Sequence, residues 1–100
     1  MDKLKPLTKT KTKTRLKLKE PEEFKVILLN DHYTTMNFVE EILMKIFQKN
    51  PTDARHIMLS VHHKGKGLAG VYPRDIAYTK AEQVRTAARV KEFPLSCIVE

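Results

Sequence analysis

Apolar and polar positions divide the chain into six short segments. Val26-Ile27-Leu28-Leu29 is an unbroken aliphatic run of strand length, too short for an ordinary helix, and predicts a first strand over Phe24–Leu29. Asn30 and Asp31 end it, because their short side chains hydrogen-bond nearby backbone and favour turns. Thr34 or Thr35 then caps a helix, in which Phe38, Val39, Ile42, Leu43, Ile46 and Phe47 form one wide apolar face reaching to about Lys49. Asn50-Pro51 breaks that helix and opens a second, with Pro51 suited to a first turn and Ala54, Ile57, Met58 and Val61 at helical spacing. Gly65 and Gly67 stop it, and Leu68–Tyr72 reads as a second strand. Pro73 opens a third helix to about Glu92, with Ala77, Ala81, Val84 and Ala88 inward. Its polar face of Asp75, Tyr78, Glu82, Arg85 and Arg89 is either solvated surface or a partner surface. Phe93-Pro94 ends it, and Leu95–Val99 is a last strand. The order β-α-α-β-α-β predicts a small α+β domain, a three-stranded antiparallel sheet packed on three helices.

Charge changes this picture mainly at the beginning of the chain. The 100 residues carry a formal net charge of +7, but residues 1–20 hold eight Lys/Arg against Asp2 and Glu20, whereas residues 21–100 hold 11 against 10. From Lys9 to Lys19 every odd position is basic. Residues 1–21 are therefore expected to be a flexible, self-repelling basic extension, and residues 22–100 the folded domain. A competing reading lets the lysines neutralise phosphates, which makes the chain a small nucleic-acid-associated protein whose binding would be steeply salt-dependent. Against it, the extension has one Arg and no aromatic side chain for base stacking. No run of about 18 apolar residues is present, and a cytoplasmic, membrane-free protein is expected.

Catalytic and metal chemistry find little support. Cys97 is the only cysteine, so an internal disulfide and a multi-cysteine metal site are excluded. His56 and His63 are seven residues apart on a helix, not the four of a zinc helix, and His62 points elsewhere. A Cys97–His62–Asp31 nucleophilic set is conceivable, but Cys97 lies in an apolar terminal strand, where it serves as a small hydrophobe. No phosphate-binding glycine loop is present. We expect no cofactor, no metal and no enzymatic activity. What remains is binding. Asn30, Asp31 and a neutral His62 supply acceptors for a cation bearing several N–H donors, and Met36, Val39, Met58 and Val61 suit an apolar hole beside them. Alternatively, Asn30 and Asp31 only close a turn and cap a helix, and the methionines are core.

Three stretches carry a resemblance: Lys25–Val39, reading KVILLNDHYTTMNFV; Met58–Lys66, reading MLSVHHKGK; and Thr79-Lys80 with Pro94–Cys97. Together they resemble the ClpS adaptors of bacterial N-degron (N-end rule) proteolysis, over about residues 22–100. The resemblance implies an adaptor that binds proteins whose first residue is Leu, Phe, Tyr or Trp. It would deliver them to the N-terminal domain of a ClpA- or ClpC-type AAA+ unfoldase for degradation by ClpP, acting as a monomer. It further implies that Asn30, Asp31 and His62 hold the free α-amino group. The side-chain pocket would be Leu28, Leu29, Thr34, Met36, Val39, Met58, Val61 and Leu95, with Met36 as gatekeeper against β-branched first residues. Asp75 and Lys80 would dock the unfoldase, and the basic extension would be engaged during hand-off. Two positions depart from the family pattern. His32 stands where a second Asp is usual and, when protonated, would repel an ammonium, so it is not expected to be a ligand. Thr35 stands where Pro is usual, at little cost, since Thr caps helices well. The departure at His32 also keeps open a regulator that docks on the unfoldase without carrying cargo.

Overall fold

The computed structural model describes residues 22–100, and the expectations for residues 1–21 lie outside them. The elements follow the order β1 (Glu23–Leu29), α1 (Met36–Lys45), α2 (Pro51–Lys64), β2 (Lys66–Pro73), α3 (Arg74–Val90) and β3 (Ser96–Val99). β1 lies between β2 and β3 and is antiparallel to both. This is the α+β arrangement expected from the pattern.

Alternation along β1 explains its central place. Val26 and Leu28 are wholly buried and join the core formed by Phe38, Val39, Ile42 and Leu43 of α1, Met58 and Val61 of α2, and Ala81 and Val84 of α3. Ile27 points to the other face, where it pairs with Leu68 on one side and Ile98 on the other and is still only 7% exposed. In β2 the register slips between Val26 and Ile27: Val26 pairs with Gly70 and Ile27 with Leu68, so Ala69 has no partner of its own. The bulge sits where the ring of Tyr72 covers Gly70, leaving no room for a Cβ there.

Most helix ends are set by a specific group. Thr35, not Thr34, caps α1, its hydroxyl accepting from the Phe38 N–H at 3.2 Å. The Asn50 side chain accepts from the Asp53 N–H at 2.8 Å and starts α2, with Pro51 as its first residue. α1 ends at Lys45 rather than continuing to Lys49, because Gln48 takes a left-handed φ of 52° and turns the chain. α3 ends at Val90 in the same way: Glu92, at φ 60°, lets Phe93 donate to Ala88 O at 2.9 Å and closes the last turn.

The joint between α2 and β2 depends on two glycines. Gly65 terminates α2 at φ 88°, where a side chain is disfavoured, and returns its N–H to Val61 O at 3.0 Å. Two residues later a Cβ on Gly67 would stand 2.7 Å from Val61 Cγ2 and 3.1 Å from Ile57 O. Bare backbone at Gly67 is what lets α2 settle on the strand after it. Gly67→Ala is expected to push α2 outward and to destabilise the domain by about 1–3 kcal/mol, the usual cost of overpacking. Urea unfolding checks this, and an unchanged midpoint would show that the contact yields freely.

Candidate functional site

The turn after β1 is built around one carboxylate. Asp31 Oδ1 accepts the backbone N–H of Tyr33 at 2.8 Å and of Thr34 at 2.7 Å, while Oδ2 accepts the Thr34 hydroxyl at 2.7 Å. Partial burial works to raise the Asp31 pKa. The Thr34 hydroxyl, the two amides and the neighbouring His32 outweigh it, and the carboxyl is held below its ordinary value. The turn-closing role read from sequence is thus real for Asp31, and Thr35 takes the capping role. A carboxylate has about four acceptor positions, so three bonds leave one on Oδ2 for a further donor.

Asn30 ties this turn to the end of α2, its backbone N–H donating to Gly65 O at 2.9 Å. That bond places Asn30 beside the helix turn that carries Val61 and His62. Among the described residues, neither the Asn30 side chain nor the His62 ring takes part in a hydrogen bond. A cavity of about 220 Å³ opens between turn, α1 and α2, lined by Asn30, Asp31, His32, Thr34, Met36, Val39, Met58, Val61 and His62. Val39, Met58 and Val61 form a covered apolar wall. Met36, the first residue of α1, is 42% exposed and stands at the opening.

The structure therefore brings Asn30, Asp31 and His62 together with Thr34, Met36, Val39, Met58 and Val61. Leu28, Leu29 and Leu95, also expected at the pocket, are not among the residues that line this cavity. Leu28 is wholly buried on the inward face of β1, and Leu95 belongs to the same core. Leu29, half-buried, ends β1 between Lys66 and Ser96. A strand that turns one side chain inward and the next outward cannot give both leucines to one hole. His32, set aside as a ligand, does line the cavity.

Lys80 is engaged within the domain. Its Nζ donates to Ile46 O at 2.6 Å and to Gln48 Oε1 at 3.2 Å, and lies 5.2 Å from the Tyr72 ring centre and 5.9 Å from that of Phe47. An ammonium at the C-terminal end of a helix is favoured by the partial negative charge of the unpaired carbonyls. Lys80 thus holds the end of α1, while Asp75 is exposed in the first turn of α3. Spacing did not reveal this, because its acceptor lies 34 residues earlier in the chain.

Cys97 is buried, its Sγ 3.5 Å from Ala81 O, and burial pushes its pKa up, which disfavours a thiolate nucleophile. Among the described residues, no group of three or more His, Cys, Asp or Glu side chains is placed to hold a metal ion. No helix among them is long and apolar enough to cross a membrane.

Comparison with known proteins finds relatives in sequence and in fold. Residues 19–98 match the family described as ATP-dependent Clp protease adaptor protein ClpS. The ATP-dependent Clp protease adapter protein ClpS of Wolinella succinogenes is 54% identical over 81 residues, covering 81% of this chain and 79% of that protein. The protein of the same description from Neisseria gonorrhoeae is 56% identical over 80 residues, covering 80% of this chain and 77% of that one. Among solved structures, Agrobacterium tumefaciens ClpS2 bound to L-phenylalaninamide superposes with a TM-score of 0.78 at 36% identity, covering 81% of this chain and 98% of that chain.

The Asp31 turn makes a prediction of its own. Asp31→Asn keeps an oxygen for the two amides but loses the charge and an acceptor for Thr34, and should cost about 1 kcal/mol of stability at neutral pH. A carboxyl whose native pKa is lowered stabilises the fold above its ordinary value of 3.8 and loses that contribution as pH falls through the lower native value. The gap between the parent and Asp31→Asn in urea unfolding should therefore be full at pH 7 and shrink in acid. A gap that widened in acid would contradict the assignment.

Proposed function

The chain belongs to the ClpS family of ATP-dependent Clp protease adaptors, and from that premise we propose that it captures proteins by a free first residue, Leu, Phe, Tyr or Trp, and delivers them to a Clp AAA+ unfoldase for degradation by ClpP. It is an adaptor and not an enzyme. The observation that carries the proposal is the pairing of acceptors with an apolar hole in one cavity. Asn30, the spare acceptor position of Asp31 and a neutral His62 meet the N–H donors of an α-ammonium, and Val39, Met58, Val61 and Met36 receive the side chain. L-phenylalaninamide, the molecule bound by the Agrobacterium protein, has the same two halves: an ammonium and a benzyl group.

Magnitudes fit a selective, reversible adaptor. Burying a Leu or Phe side chain contributes roughly 1.5–3 kcal/mol, and each hydrogen bond to a charged group contributes about as much. After the cost of association this corresponds to about micromolar affinity, near −8 kcal/mol, or somewhat tighter. Acetylation removes the charge and two of the three N–H donors and leaves acceptors unmatched. A β-branched first residue carries its bulk close to the backbone, where Met36 narrows the opening.

Residues 22–100 form the adaptor core in this proposal, and residues 1–21 an extension that the unfoldase engages. The ClpA- or ClpC-type N-terminal domain docks on α3 at Asp75 and Lys80, the latter also bonded to the end of α1. The protein acts as a cytoplasmic monomer, and its partners are unfoldase and substrate rather than nucleic acid or membrane.

Fluorescence anisotropy with peptides that differ only in the first residue tests the proposal. Phe- and Leu-initiated peptides should bind at micromolar concentration or tighter, and Ile-initiated and Nα-acetylated ones at least tenfold more weakly. His62→Ala should weaken Phe peptide binding by about tenfold or more, one lost charged hydrogen bond. Equal binding of the free and acetylated peptides would overturn the assignment.

A further inference from the structure

The opening of the cavity carries an excess of hydrogen-bond donors and positive charge that the capture of the first residue does not use. His32 lines the cavity at the turn, exposed, and beyond His62, which the first residue engages, α2 ends in His63 and Lys64, both exposed, with the His63 ring 5.0 Å from that of His62. Because Gly65 O accepts the Asn30 N–H at 2.9 Å, Lys64 directly precedes the residue bonded to the turn, while Lys66 lies with Lys25 and Ile27 on the outer face of the sheet. Arg55 lies seven residues before His62, on the same side of α2. Two carboxylates stand nearby. Asp31 already accepts three hydrogen bonds, and Glu40, one turn beyond Met36 on α1, is half-buried. Among the described residues the ion pairs lie elsewhere, at Lys45–Glu41 and at Arg85 and Arg89 with Glu82.

We propose that this rim selects the second residue of the captured chain, favouring Glu or Asp there and disfavouring Lys or Arg. The inference rests on the reading of the cavity as a site for a free first residue. With that residue buried, an extended chain advances about 3.3 Å per residue, so the second side chain leaves the opening within reach of His32 and the α2 end. An imidazole offers an N–H donor in either protonation state, and Lys64 adds charge that a carboxylate would meet. A second-position Lys would meet the same groups as like charges. The substrate class is therefore narrower than a bulky apolar first residue: it is that residue followed by an acidic one.

Anisotropy with Phe-Glu-, Phe-Gln- and Phe-Lys-initiated peptides of otherwise identical sequence, each with an Nα-acetylated control, tests this at low salt. The Glu peptide should bind about three- to tenfold more tightly than the Lys peptide, with Gln between, and the ratio should shrink at high salt, since exposed charge pairs are weak and screened. His32→Asp should bring the ratio to parity or reverse it while the Phe-Gln peptide still binds and its acetylated form does not. Three equal affinities, with acetylated controls silent, would overturn the second-residue selection and leave the first-residue site intact. A ratio unchanged in His32→Asp would remove His32 from the role and overturn the proposal as stated. Absence of binding by all three peptides would overturn both readings.

Discussion

One backbone hydrogen bond holds the site together: the Asn30 N–H donating to Gly65 O at 2.9 Å. It joins the end of the central strand to the end of α2, two elements whose own geometry would otherwise let them diverge. The bond forms only because Gly65 reverses the chain in the left-handed region and Gly67 lets α2 approach within a distance no side chain would allow. Given that joint, the polar turn after β1 faces His62, and the apolar stripe of α2 faces that of α1. The cavity is what remains between them at the place where α1 begins. Its polar and apolar halves are therefore consequences of one packing arrangement.

Charge is then distributed by need. Asp31 spends most of its acceptor capacity in folding the turn and leaves one position unfilled, so one carboxylate both shapes the cavity's edge and gives it a sign. Lys80 is committed to the far end of α1, where it donates to the carbonyl of Ile46 and lies against Phe47 and Tyr72. α1 is thus fixed at both ends, by the Thr35 hydroxyl beside the cavity and by an ammonium opposite. A fixed α1 keeps Met36 and Val39 in place, and selectivity for shape depends on walls that do not move.

Much of this was legible in the chain. Helical spacing of Phe38, Val39, Ile42 and Leu43 identified α1 and the face it buries, and Gly65 marked where α2 stops. Short polar residues directly after an apolar strand pointed to an exposed acceptor cluster, and the neighbouring methionines to an apolar hole. What escaped was whatever depends on depth or on distant partners. Leu28 and Leu95 lie in the same core as the apolar wall of the cavity, and spacing does not say how deep each sits. Ile46 and Phe47 continue the helical period of α1 although the helix has ended, because periodicity records which side faces the core and not whether the backbone is still helical. The bond of Lys80 to Ile46 O has no sign in spacing, since the carbonyl is 34 residues away. The bulge at Ala69 left no local signal beyond the glycines around it.

The central claim is that the Asn30–Asp31 turn and the His62 turn of α2 receive one free amino-terminal residue. Titrating 15N-labelled protein with L-phenylalaninamide and following backbone amide shifts tests this directly, since every element reports at once. The account predicts saturable shifts concentrated at residues 30–36, 39 and 58–65, with α3 and β3 little changed, and no such response to the Nα-acetylated compound. Shifts centred on α3 or on the outer face of the sheet, or an equal response to the acetylated compound, would contradict it.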